Sequence, residues 1–281
     1  LNNIGIVYRD KGDLDTALDY FERSLKIDEE LGDKRGMGYS LNNIGLVHWN
    51  KGDYDKALDY YDRSLKIFDE LGDNHSKGII LNNIGLVYWK IGDFDKALDY
   101  YNRSVKISED IGDKLGRGDS FIFIGEIYEH KGEYDKSLDY FNRSIKIREE
   151  LGYKRGVGAN LLGVGNIYLN KCDYINSAKH LEKSLAIQKK IGLKRGYLVL
   201  NTTLSLFLCY RNLDKKFEKK EIHRLIKETD NIEYYLNYRI YQLLEDKAYL
   251  ETAYSQVQEK ADNLEPDVAA NFLSYPIPKA I

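Results

Sequence analysis

Apolar residues recur along this chain with the spacing of a helix face. Leu41, Ile44, Val47 and His48 fall at i, i+3, i+6 and i+7, one stripe of a helix. Gly52 follows, able to take the left-handed backbone that ends a helix, and Asp53 is placed to cap the next one. A second helix then carries Tyr54, Ala57, Leu58, Tyr61, Leu65 and Ile67 on its apolar side. It closes at Leu71-Gly72, with Asp73 placed to cap a further helix, and the arrangement recurs at Leu31-Gly32-Asp33 and Ile111-Gly112-Asp113. The pattern predicts helix pairs joined by tight Gly-Asp turns.

The whole pattern returns every 40 residues, with units starting at 1, 41, 81, 121 and 161 and a degenerate sixth from about 201. A single helix pair cannot bury its own apolar face, so this period predicts a solenoid stabilised by neighbouring units. Gly5, Gly45, Gly85, Gly125 and Gly165 lie mid-helix, where glycine costs about 1 kcal/mol relative to alanine. Repetition of that cost implies a steric reason. Ala17, Ala57, Ala97, Ser137 and Ser177, with Ser24, Ser64, Ser104, Ser144 and Ser184, offer small partners on the second helix.

Taken together, Ile84-Gly85, Tyr88 three residues later, a Gly-Asp-aromatic turn and the small and aromatic residues that follow resemble a tetratricopeptide repeat. Typical units have about 34 residues and a proline near the end of the second helix. Here each has 40 and ends in Leu-Gly-Asp, as in the long variety found in kinesin light chains and the LGN adaptor. The resemblance covers about residues 1–227. It implies an all-α fold, a right-handed α-α superhelix of antiparallel helix pairs with the first helices lining a concave groove. It also implies a non-catalytic scaffold that binds an extended peptide or partner protein. Cys172 in place of the turn glycine, Gly163 in place of a groove Asn, and the loss of Gly and small residues in the sixth unit are departures.

Composition narrows the chemistry. The chain has 42 basic and 45 acidic residues, a net charge of −3, so no global field favours nucleic acid or an anionic membrane. Its three prolines, Pro266, Pro276 and Pro278, cluster near the C-terminus, as a helical chain requires. Cys172 and Cys209 have neither disulfide-framework nor zinc spacing, which fits a reducing cytoplasm. No apolar run reaches the roughly 18 residues of a membrane span. Leu1-Asn-Asn-Ile-Gly reads as the interior of a helix, without a signal peptide, and predicts a longer parent chain.

His48, His75, His130, His180 and His223 share no spacing, and His48 replaces the repeat tyrosine, so a semi-buried histidine is expected rather than a ligand. The Asp residues at helix starts read as caps, and no Gly-rich phosphate loop is present. Cys172 has no partner that would make it a nucleophile. No catalytic group, metal or cofactor is expected. Arg23, Arg63, Arg103 and Arg143 stand four residues after Asp19, Asp59, Asp99 and Asp139, a spacing that makes ion pairs on a solvated face rather than a phosphate track.

Carried onto the first helices, the resemblance assigns the binding face. Asn3, Asn42, Asn43, Asn82 and Asn83 offer amides that donate and accept, suited to a peptide main chain. Leu46 and Leu86 lie among them, with Asn50 and Lys90 at the helix ends. Trp49 and Trp89, the two tryptophans, are expected as exposed anchors. Asp119, Glu126 and Glu129 form an acidic patch with little matching base, which calls for Lys or Arg in the partner near the fourth unit. Asn166 represents the fifth.

The register is lost from Asp230. Residues 1–229 are therefore read as the repeat array and 230–281 as a helical cap with an apolar tail from Phe272, which either packs on the last helices or begins a further segment. Two other readings are a regulatory region of a larger signalling enzyme, such as a kinase or nucleotide cyclase, and self-association through the open first unit.

Overall fold

The computed structural model describes residues 1–262, 264, 266–274 and 279–281; residues 275–278 of the expected tail lie outside them. Fifteen helices occur among the described residues: α1 (Asn2–Asp10), α2 (Leu14–Leu31), α3 (Lys34–Asn50), α4 (Tyr54–Glu70), α5 (Asn74–Ile91), α6 (Phe94–Asp110), α7 (Lys114–His130), α8 (Tyr134–Glu150), α9 (Lys154–Asn170), α10 (Tyr174–Lys190), α11 (Tyr197–Asn212), α12 (Lys219–Lys227), α13 (Tyr234–Leu244), α14 (Lys247–Asp262) and α15 (Pro266–Ser274). There is no strand among them. They form two units, Leu1–Ser120 and Phe121–Ile281, with the boundary inside α7.

The predicted turns form as the sequence requires. Gly32, Gly52, Gly72 and Gly112 all have positive φ, a conformation that costs glycine nothing. Asp33, Asp73 and Asp113 accept from the backbone N–H groups of Gly36, Ser76 and Gly116 at 2.9, 3.0 and 3.0 Å. Asp53 departs from expectation. It stands at the cap position of α4 without a capping hydrogen bond, and its carboxylate pairs with Lys56 at 2.7 Å.

In the first unit the mid-helix glycines lie against buried rings. A Cβ on Gly45 would lie 2.7 Å from Tyr61, and one on Gly5 or Gly85 would lie 2.6 Å from Phe21 or Tyr101. Those three rings are at most 1% exposed. The serines hold the other half of each pair: Ser64 and Ser104 donate to the carbonyls of Gly38 and Gly78 at 2.8 and 3.0 Å. Between units of the repeat, Ile44 and Val47 pack on Ala17 and Phe21, and Ile80, Ile84 and Val87 on Ala57, Tyr61 and Phe68. His48 is buried and stacks on Tyr60 with centroids 5.4 Å apart. The outer pairs Arg23–Asp19, Arg63–Asp59 and Arg103–Asp99 close at 3.2, 3.7 and 3.6 Å.

The second unit keeps the plan through α10. Ser137 and Ser177 donate to the carbonyls of Gly125 and Gly165 at 2.6 and 2.7 Å, and Leu181 replaces the ring against Gly165. Beyond it, Leu200, Leu204, Ile222, Leu225, Leu236 and Ile240 from α11, α12 and α13 make one continuous apolar cluster. Phe272 packs with Val257 and Ala261, so the start of the tail lies on α14.

Gly45→Ala is expected to destabilise the protein by about 2 kcal/mol through overpacking against Tyr61. Gly78→Ala meets nothing closer than Ser104 at 3.7 Å and should gain about 0.5–1 kcal/mol of helix propensity. Chemical denaturation of both variants separates a packing glycine from a tolerant one. Cys172 adopts φ +58° where its repeat counterparts are glycines, so Cys172→Gly should add up to about 1 kcal/mol, read as a raised melting midpoint.

Candidate functional site

In the first unit the amides of the first helices are joined across repeats. Asn83 donates to Asn42 Oδ1 at 2.8 Å, Asn43 reaches Asn2 Oδ1 at 3.5 Å, and Ser120 Oγ donates to Asn82 Oδ1 at 2.9 Å. The ladder therefore runs through Asn2–Asn43 and Asn42–Asn83, not through Asn3, Asn43 and Asn83 as a row. Asn3 is exposed, while Asn42, Asn43, Asn82 and Asn83 are half-buried. A primary amide carries two donors and two acceptor lone pairs, so each step leaves hydrogen-bonding capacity open.

Leu46 and Leu86 lie half-buried among these amides. Asn50 Nδ2 donates to the Leu46 carbonyl at 2.7 Å, which turns it back on its own helix. The tryptophans are not exposed anchors. Both are half-buried, and Trp49 packs against the cluster containing Ile80, Ile84 and Val87 of the next repeat. Its indole N–H is buried without a hydrogen-bond partner, so packing alone holds the ring. Lys90 sits over the Trp89 ring at 5.0 Å. The Trp49 ring is covered by the next repeat, which the spacing of the tryptophans did not reveal. Asp119 is half-buried at the end of this unit.

In the second unit Glu126 and Glu129 do not stand before an empty field of base. Arg239 of α13, 6% exposed, donates through Nη1 to Asn201 Oδ1 at 2.8 Å, Ser205 Oγ at 2.7 Å and Asn166 Oδ1 at 3.3 Å. Glu129 accepts from Asn170 Nδ2 at 3.1 Å. Burial pushes the Glu129 carboxyl up to about 7, against the opposing pull of Arg239 and the Asn170 hydrogen bond. Burial also lowers the Arg239 pKa, while Glu129 favours its charge. Tyr134, Tyr197, Cys209, Glu126 and Glu233 carry the other titratable groups bordering this cluster. Burial pushes the Tyr197 hydroxyl up to about 12, with Glu233 adding to it.

The expectation of an acidic patch lacking base is thus corrected by a residue about 110 positions away in sequence. Arg239 lies where the repeat register has faded, so no periodic argument could place it. The one available signal was the run Asn201, Thr202, Thr203 and Ser205 inside an otherwise apolar helix, since buried polar groups require partners.

The tetratricopeptide repeat family model matches residues 1–68, 36–110 and 117–190. The chain belongs to the tetratricopeptide repeat family. Proteins of this family are generally protein-interaction modules, and the fold is typically non-catalytic. No curated protein sequence matches the chain. Among solved structures, a signal transduction ATPase with numerous domains, carrying a tetratricopeptide repeat sensor, from Pyrococcus horikoshii is similar over 90% of this chain, with TM-score 0.64 and 17% identity. This chain spans 37% of that protein. A Rap protein complexed with Competence and Sporulation Factor matches over 91% of this chain and 82% of its own, with TM-score 0.60 and 16% identity. A kinesin light chain of nearly identical repeats from Podosopora anserina matches over 69% and 95%, with TM-score 0.56 and 14% identity. These likenesses place the tetratricopeptide fold, including the long-repeat variety. No helix among the described residues is long and apolar enough to cross a membrane, and no His, Cys, Asp or Glu group among them is arranged to hold a metal ion.

Glu129 binds its proton more tightly in the folded chain than a free glutamate does. Between the ordinary glutamate value near 4.5 and about 7 the folded state holds the extra proton, so stability falls as pH rises through that window. Glu129→Gln removes the titration. Its melting temperature should vary less over this range and exceed that of the wild type above pH 7, measured by circular dichroism.

Proposed function

We propose that this chain is a non-catalytic, cytoplasmic interaction scaffold that holds an extended segment of a partner protein along its first helices. The observation that carries this reading is the series of half-buried amides on α3 and α5, joined by the Asn42–Asn83 hydrogen bond yet each with capacity to spare. An extended main chain presents alternating donors and acceptors that such amides match. Asn3, Asn42, Asn43, Asn82 and Asn83 supply the polar contacts in the first unit, and Leu46, Leu86 and the accessible edges of Trp49 and Trp89 the apolar ones. Asn50 and Lys90 border them.

Asp119 in the first unit and Glu126 in the second favour Lys or Arg in the partner, while Glu129 already faces Arg239. Asn166 is committed to Arg239 and Ser205 and contributes as part of that cluster. Residues 230–281 are proposed to cap the array of 1–229, since Leu236 and Ile240 cover the apolar side of α11. Two features support further readings. The Pyrococcus horikoshii protein uses a repeat region of this fold as a sensor within a larger ATPase, which supports a regulatory region of a signalling enzyme. Leu1, Ile4 and Val7 are 41%, 44% and 50% exposed, although their counterparts Leu41, Ile44 and Val47 are core, which supports self-association.

A displayed random-peptide library panned against the protein tests the main reading. Selected peptides should lose about tenfold or more in affinity on Asn42→Ala/Asn83→Ala and on Trp49→Ala/Trp89→Ala, the loss of one or more hydrogen bonds or a buried ring edge. Equal affinity for wild type and variants, or no selected peptide at all, overturns it.

A further inference from the structure

Arg239 and Glu129 are moored to the same face of one helix. Asn166 holds the guanidinium and Asn170 the carboxylate, and residues four apart on a helix stand about 5–6 Å from each other. Arg239 directs Nη1 to three neutral oxygens, Asn166 Oδ1, Asn201 Oδ1 and Ser205 Oγ. Glu129 takes its hydrogen bond from Asn170. The two charges therefore meet across a gap rather than in a direct ion pair. On one side of it the Nε and Nη2 donors of Arg239 have no hydrogen-bond acceptor among the described residues and are not among the fully sealed polar atoms, although the residue as a whole is buried. On the other side Glu129 offers its second oxygen.

A charged ligand fits this gap poorly. A carboxylate would meet Glu129 and Glu126, and an ammonium would meet Arg239, each at the desolvation cost of a buried like charge. A neutral group that accepts from Arg239 and donates to Glu129 satisfies both without adding charge. A main-chain peptide unit does this badly, because its trans geometry points the C=O and the N–H in opposite directions. A primary carboxamide presents its C=O and one N–H along a single edge.

We propose that the Glu129–Arg239 gap between α7, α9 and α13 is a subsite for a primary carboxamide, the side chain of an Asn or Gln in the partner. This rests on the second unit's first-helix face meeting a partner, and it adds the identity of one side chain that the partner must carry. Arg239 donates to the amide oxygen and Glu129 accepts from the amide nitrogen. Asn170 and the Asn201–Ser205 pair fix the two heads so that the edge is pre-formed.

Acetamide, N-methylacetamide and acetate serve as probes, titrated at pH 8 into the isotopically labelled protein while the Arg239 Nε–H resonance is followed by NMR. The resonance is assigned by its loss in Arg239→Lys. Acetamide should give a saturable shift, with N-methylacetamide and acetate about tenfold weaker or without effect, the scale of one lost hydrogen bond to a charged group. Glu129→Leu, which leaves the reporter in place, should lose the response to acetamide. Equal response to N-methylacetamide, stronger response to acetate, no response to acetamide, or an undiminished response in Glu129→Leu each overturns the proposal. Because the probes need no partner, their failure is separate from a failure of the peptide panning.

Discussion

A glycine under a buried ring sets the geometry on which the rest of this fold depends. Gly5, Gly45 and Gly85 each lie against Phe21, Tyr61 or Tyr101 at distances that leave no room for a methyl group. The ring, seated in that notch, fixes how closely the two helices of a pair approach and what angle they make. Only then can the serine hydroxyls reach the carbonyls of Gly38 and Gly78, and only then do Ile44, Val47, Ile84 and Val87 meet the preceding pair. The helical cost of the glycine is thus offset by burial of an aromatic side chain and by a hydrogen bond with no competing water.

The second unit shows what happens as that rule relaxes. Leu181 replaces the ring against Gly165, and α11 has Ser205 where the glycine stood. Polar residues then enter the interior: Asn201, Thr202 and Ser205 are at most 5% exposed. They need partners, and Arg239, Gln188 and Asn166 supply them. Ser205, at the lost notch position, is one member of the acid–base cluster. An apolar core tolerates imprecise packing, whereas a buried polar network requires each member to be matched.

Much of this was legible in the residues. The period, the turns and the alternation of helices follow from Gly-Asp signals and apolar stripes, and they appear in the structure within a residue or so of their expected places. The outer ion pairs and the buried His48 were equally readable, because they depend on contacts within one helix or one pair. What failed needed tertiary knowledge. Trp49 is covered by the following repeat. The rings over the first unit's mid-helix glycines were likewise not read from the pattern of small residues. Arg239 could not be found at all, since its partners lie 34 to 73 positions away in a stretch without register.

The Asn42–Asn83 hydrogen bond carries a consequence for how such an array grows. The first Asn of each pair accepts from the following repeat and the second donates to the preceding one, so a duplicated unit arrives already equipped with both halves of the joint. Copy number can then change without any compensating substitution at the seam. The run stops where a copy drifts, as at Ile122 and Phe123, which occupy the two positions in α7. Those two positions carry no amide, so this joint is not repeated there although the repeats continue.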